Sequence, residues 1–138
     1  MYDRPSSTEL IQAAIDHFQT KIVPLTKAEN HQLYFQTIVA VNVLKIALRD
    51  IEKRPEHLRA EWERLAQFSD EALSPIENNE ALEQALSQAN QALAKRIREG
   101  EFDDDEALFQ HLVQTTVEQL EVARPKFLAT LASEDEAQ

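Results

Sequence analysis

The chain holds one glycine, where average usage would give about ten, and it holds no cysteine. Without glycine the backbone has few places for positive φ, so tight turns and β-hairpins are scarce and helices carry the fold. The scarcity of glycine also excludes glycine-rich nucleotide-binding loops and the nucleophile elbow. The lack of cysteine excludes disulfides, thiolate zinc sites and cysteine nucleophiles. It also suits a reducing cytoplasm, which is the predicted location.

Long apolar runs and basic charge are scarce as well. The longest apolar stretch, 38–48, is interrupted by Asn42 and Lys45 and is too short to span a bilayer. Fourteen Lys and Arg face 25 Asp and Glu, and the resulting net charge of −11 repels phosphate backbones and anionic lipid. We therefore expect an acidic protein with no membrane and no nucleic-acid partner.

Apolar spacing and capping residues predict an all-α fold: a single helical domain over 1–138, built as a bundle of about five helices around a central, nearly all-apolar second helix. Ser6 and Glu9 form the capping box of helix one, and Pro24 ends that helix. Helix two, 29–54, is apolar around almost its whole circumference, so we expect other helices to enclose it. Residues 1–5 form an N-terminal arm, and 133–138 a frayed acidic tail.

Two further helices follow helix two before the glycine. Helix three begins near Pro55, since proline suits the first helical position. Helix four begins at a capping box headed by Ser74 or, alternatively, at a later cap around Asn78. Gly100 supplies the left-handed residue that ends it.

Helix five begins at a capping box of Asp103 and Glu106 and ends before Pro125. The acidic run around this start suits the helix dipole, which explains it structurally. A short turn containing Phe127 follows. The expected core face of helix five consists of Leu108, Phe109, Leu112, Val113, Val117 and Leu120.

One polar stripe interrupts the apolar surface of helix two. At about 100° per residue, one face collects six residues. They are His31, Phe35, Ile38, Asn42, Lys45 and Arg49. Asn42 is expected either to make a buried hydrogen bond to a neighbouring loop or terminus, or to line a polar cleft for an anionic ligand. Further candidates for this cleft or network are Asp3, Arg4, Asn90 and Arg98.

Residue spacing indicates no catalytic residue, metal site or cofactor. The four histidines lie on different predicted helices and none has ligand spacing, so we interpret them as surface or boundary residues. They are His17, His31, His57 and His111. The acidic run 103–106 lacks the central glycine and the distant glutamate of a calcium loop.

Four groups of residues spread over nearly the whole chain carry a family resemblance. They are Tyr2, Asp3, Arg4 and Pro5; Val39, Ala40, Asn42, Leu44, Ile46 and Arg49; Asn90, Leu93, Ile97, Arg98, Gly100 and Asp103; and Val122, Pro125, Lys126 and Phe127. In these the chain resembles an uncharacterised family of short all-helical bacterial proteins, often encoded beside aminoglycoside phosphotransferase-like kinases and acyl-CoA dehydrogenases. The resemblance implies an accessory role near such enzymes and assigns no catalytic residue.

Two functions are compatible with this pattern. The first is an acidic interaction protein that binds or regulates a partner enzyme, which is phosphotransferase-like or acyl-CoA dehydrogenase-like. An enzymatic role is disfavoured because the sequence shows no set of catalytic residues. The alternative is a small-molecule-binding bundle or enzyme that uses the polar cleft on helix two. Self-association through Trp62 or Phe127 is compatible with either.

Overall fold

A computed structural model describes residues 4–135 of the chain, so Asp3 lies outside the described residues. That part of the chain is helical and contains no strand, which confirms the all-α class. The α-helices are α1 (Ser7–His17), α2 (Val23–Glu29), α3 (His31–Leu65), α4 (Asn79–Arg98), α5 (Glu106–Ala123) and α6 (Pro125–Asp135). The predicted frayed acidic tail, 133–138, begins inside a helix, because α6 continues to Asp135.

Contacts divide the chain into two compact units, a finer organisation than the sequence indicated. The N-terminal unit is Met1–Lys53 and the C-terminal unit is Arg54–Gln138. The boundary falls within α3, so residues of this one helix belong to both units.

Helix one begins as predicted but does not end at Pro24. Ser6 accepts a hydrogen bond from the backbone of Glu9, whose side chain in turn accepts one from the Ser6 backbone. A π-helical turn, Phe18–Ile22, then joins α1 to α2, and Pro24 lies in the first turn of α2. The helical backbone continues without a break from α1 to α2, so Pro24 is accommodated beside the π-helical turn and not at a free helix start.

Pro55 also fails to mark a boundary, and the predicted start of a new helix there is wrong. Predicted helices two and three are one helix of 35 residues, α3, with Pro55 inside it. An interior proline costs about 3 kcal/mol in helix propensity. Leu58 and Trp62 pack against the core beyond it and Leu65 is buried in that core. This packing offsets the proline.

The core of the C-terminal unit forms where α4 meets the end of α3 and the start of α5. Its buried residues are Leu65, Phe68, Leu82, Leu86, Leu93 and Leu108. The later of the two predicted starts of α4 is the one observed, because Asn78 caps it by accepting from the backbone of Ala81.

Gly100 ends α4 as predicted. Its φ is 80°, and its N–H donates to the Ile97 carbonyl while the N–H of Glu101 donates to the Arg96 carbonyl. This pair of bonds is a Schellman motif, which needs a left-handed residue after the helix.

The start of α5 lies two residues later than the predicted cap. Asp105 is the N-cap and accepts from the backbone of Leu108, whereas Asp104 takes a left-handed φ of 63° in the preceding turn. Aspartate tolerates this conformation better than most residues, so the acidic run serves both the turn and the cap. Pro125 separates α5 from α6 as expected.

Candidate functional site

The polar stripe of predicted helix two lies on α3 within the N-terminal unit. His31 and Asn42 are exposed, and Lys45 and Arg49 are half-buried. The expectation of a buried hydrogen bond at Asn42 is therefore wrong, because its amide is open to water.

The same part of α3 is not enclosed on all sides. Val41 is buried, but the face that bears Asn42 also exposes large apolar side chains. We call Phe35, Val39, Asn42, Val43 and Ile46 the α3 outer face. The prediction of an all-round covered helix is wrong for this face.

The remaining predicted site residues make local contacts or lie at the surface. Arg4 is exposed and forms an ion pair with Glu9 at 3.4 Å. Asn90 donates to the Glu61 carboxylate at 2.8 Å in the C-terminal unit, and Arg98 is exposed at the end of α4.

A buried polar layer that the sequence reading missed connects α3 and α5 in the C-terminal unit. Arg64 donates through Nη1 and Nη2 to both carboxylate oxygens of Glu118, at 2.8 and 2.7 Å, and Nη2 also reaches Thr115 at 3.3 Å. Glu118 is buried. Burial raises the pKa of its carboxyl, but hydrogen bonds from Arg64 and Gln114 outweigh this and leave that pKa below the ordinary value. A two-pronged contact of this kind fixes the rotation of α5 about its own axis.

His111 lies on the same inward face of α5, and its interpretation as a surface or boundary residue is wrong. It is buried and its ring lies 5.4 Å from that of Phe68. Burial and the positive charge of Arg64 lower its pKa, and they outweigh the opposite effects of Glu61 and Glu118. The imidazole is therefore neutral in the folded protein at neutral pH.

This neutral histidine predicts a pH dependence of stability. His111 has a lower pKa in the folded than in the unfolded chain, so on unfolding it takes up a proton when the pH is below its unfolded value near 6.5. We expect the free energy of unfolding to decrease as the pH falls from 7.5 to 5.5. Glu118 does not contribute there, because its folded pKa lies below 4.5 and its stabilisation is lost only in stronger acid.

Urea denaturation at several pH values measures this effect. His111→Leu should flatten the dependence between pH 7.5 and 5.5, while His17→Leu, which replaces an exposed histidine, should leave it unchanged. Equal slopes in the wild type and His111→Leu would contradict the prediction.

The inward polar face turns one part of the predicted core face of α5 outward. Leu108 is buried as expected, and Val117 and Leu120 are half-buried. Phe109, Leu112 and Val113, predicted as core, are 58, 45 and 40 % exposed. We call these three residues the α5 outer face. Apolar side chains that are exposed side by side are a feature of protein-binding surfaces.

A hollow of about 390 Å³ opens at the start of this outer face. Phe109 and Leu112 line it, together with Phe102 and three acidic residues, Asp104, Asp105 and Glu106. The site thus combines apolar walls with an acidic rim.

A second hollow, of about 420 Å³, lies beside Trp62 in the same unit. The indole N–H of Trp62 donates to the Ser74 carbonyl at 3.0 Å, and the apolar lining is supplied by Leu73, Ile76 and Leu82. These residues belong to or pack against the core cluster, so the hollow is an indentation of the core surface.

Charge is divided unequally along the chain. Residues 1–53 hold six acidic and six basic residues, whereas 54–138 hold nineteen acidic and eight basic ones. The whole net charge of −11 therefore belongs to the C-terminal unit, which bears the α5 outer face.

Among residues 4–135, no three His, Asp or Glu side chains come together in a way that could hold a metal ion. No helix of this part is long and apolar enough to cross a bilayer.

Comparison with known proteins yields a family. A family model described as a domain of unknown function, DUF6285, matches residues 27–127, which is well over half of the chain. No curated protein and no solved structure matches the chain.

Proposed function

Since the chain belongs to the DUF6285 family, we propose that it is an accessory protein that binds a phosphotransferase-like enzyme through the α5 outer face. The observation that carries this proposal is the outward position of Phe109, Leu112 and Val113 above a buried ion pair. A helix that turns polar residues inward and apolar ones outward gains stability when a second surface covers the apolar ones.

The chemistry of the surface specifies the partner's surface. Apolar side chains of the partner would fill the hollow beside Phe109, and basic side chains would face the rim formed by Asp104, Asp105 and Glu106. The family resemblance implies both phosphotransferase-like and acyl-CoA dehydrogenase-like neighbours, and the proposal commits to the phosphotransferase-like enzyme in the bacterial cytoplasm.

Binding is tested with a purified phosphotransferase-like enzyme of the kind that the family resemblance implies as a neighbour. Leu112→Asp places a charge in the middle of the apolar contact, and we expect it to weaken the complex at least about tenfold, because a buried unpaired charge is costly. The measurement is isothermal titration calorimetry with the full chain.

Gln88→Asp is the matched control, since it adds the same charge at an exposed position of α4. It should bind like the wild type. Absence of binding by the wild type to this enzyme, or equal losses in both variants, would refute the proposal.

The alternative function is the binding of an anionic small molecule by Asn42, Lys45 and Arg49. It stays a prediction. The exposure of Asn42 next to Phe35 and Val39 favours a protein contact at this face instead.

A further inference from the structure

The α3 outer face is a second apolar surface, independent of α5. Phe35 is 65 % exposed, and Val39, Val43 and Ile46 are each exposed by more than a third. From Phe35 to Ile46 the face runs about 16 Å along the helix, which is three turns.

Its residues have the spacing of a helix-pairing seam. Positions 35, 39, 42 and 46 follow one another at steps of four, three and four, the pattern by which one helix keeps the same side toward another. Asn42 is the polar residue among these four positions. A single polar residue in such a seam restricts the pairing to registers that leave its amide a partner.

The charges of this segment suit contact with another copy of the chain. Residues 30–49 contain no Asp or Glu, although the chain as a whole has 25. The N-terminal unit has equal numbers of acidic and basic residues, so two of these units do not repel each other as two C-terminal units would.

From these observations we propose that the α3 outer face binds the same face of a second copy, with the two helices antiparallel. In this register Phe35 lies opposite Ile46 of the second copy, and Val39 lies opposite Asn42 of the second copy. The two Asn42 amides come within one helical turn of each other beside the two-fold axis, where each is a hydrogen-bond partner for the other.

Charge decides between antiparallel and parallel pairing. A parallel pair would bring Lys45 and Arg49 each against its own copy. The antiparallel pair places Lys45 opposite Gln36 and Arg49 opposite Gln32, which carry no charge.

The first test is the mass of the full chain by sedimentation equilibrium. We expect a dimer for the wild type and at least about a tenfold larger dissociation constant for Val39→Asp, which buries two carboxylates near the axis. Leu33→Asp is the matched control, because Leu33 is equally exposed on the opposite side of α3, and it should stay dimeric. Circular dichroism verifies that both variants keep their helices.

The second test uses the lack of native cysteine, so that any disulfide comes from the introduced residues. Differently tagged Phe35→Cys and Ile46→Cys chains are mixed and oxidised. We expect the mixed disulfide between the two chains, little of either homodisulfide, and none with Leu33→Cys. This readout does not depend on the stability of Val39→Asp.

A monomeric wild type would overturn the proposal, as would a dimer that survives Val39→Asp with its helices intact. Homodisulfides of Phe35→Cys in place of the mixed product would overturn the antiparallel arrangement. Neither result bears on the binding test of Leu112→Asp, because the two faces lie in different units.

Discussion

Replacing Arg64 with leucine is expected to lower the free energy of unfolding by about 3–5 kcal/mol, the usual cost of leaving one charge of a buried pair without its partner. The carboxylate of Glu118 is buried, and Arg64 supplies two of its short hydrogen bonds. Urea denaturation at pH 7, followed by circular dichroism, measures the change.

Two further variants separate the buried pair from a general effect of losing arginine. Arg59→Leu removes an exposed arginine of the same helix that donates to Asn79, and it should cost less than about 1 kcal/mol. The double variant with Arg64→Leu and Glu118→Leu should recover much of the loss, since no buried charge remains. A single Arg64→Leu variant no less stable than Arg59→Leu would contradict the expectation.

The second large effect is the difference in stability loss between leucine-to-alanine substitutions at two helical positions. Leu82→Ala should lower the free energy of unfolding by about 2–5 kcal/mol, because it leaves a cavity in the core where Leu82 is 1 % exposed. Leu112→Ala should cost no more than about 0.5 kcal/mol, because Leu112 is 45 % exposed on the α5 outer face.

This pair of substitutions tests the orientation of α5 directly. Both remove the same atoms from a helical leucine, so differences in helix propensity cancel. Thermal or urea denaturation of the isolated chain is sufficient. Similar losses in both variants would mean that Leu112 belongs to the core, and the α5 outer face would then have no role in binding.

The ends of the helices were largely predictable, because their chemistry is local. The Ser6 capping box and the left-handed Gly100 each depend on residues within one turn. The prolines were harder to interpret. Pro24 and Pro55 both lie within helical segments. The wide π-helical turn before Pro24 and the core packing beyond Pro55 outweigh the local tendency of proline to end a helix.

The orientation of α5 could not be predicted from apolar spacing. An apolar stripe shows that a face is covered, but not whether the cover is the chain's own core or another protein. The sequence held one signal against the predicted orientation: His111 and Glu118 stand seven residues apart and so share a face. Arg64, the partner of Glu118, is more than fifty residues away from it, and no local pattern indicates such a contact.

The outcome at the predicted site on helix two has the same physical cause. Asn42 makes this stripe unusual because it interrupts apolar residues, and the structure places Asn42 on an exposed face. The stripe did not indicate that the apolar residues beside Asn42 are exposed as well. The apolar pattern of a helix enclosed by its own chain and that of a helix enclosed by another chain are identical.

The π-helical turn between α1 and α2 has a consequence for relatives of this chain. The N–H of Val23 bonds to the carbonyl of Phe18, five residues back, so this turn holds one residue more than an α-helical turn. Deleting one residue between Phe18 and Ile22 would restore the ordinary spacing while leaving helix on both sides. We therefore expect homologous sequences to tolerate a one-residue gap at this point more readily than anywhere else in their first helix.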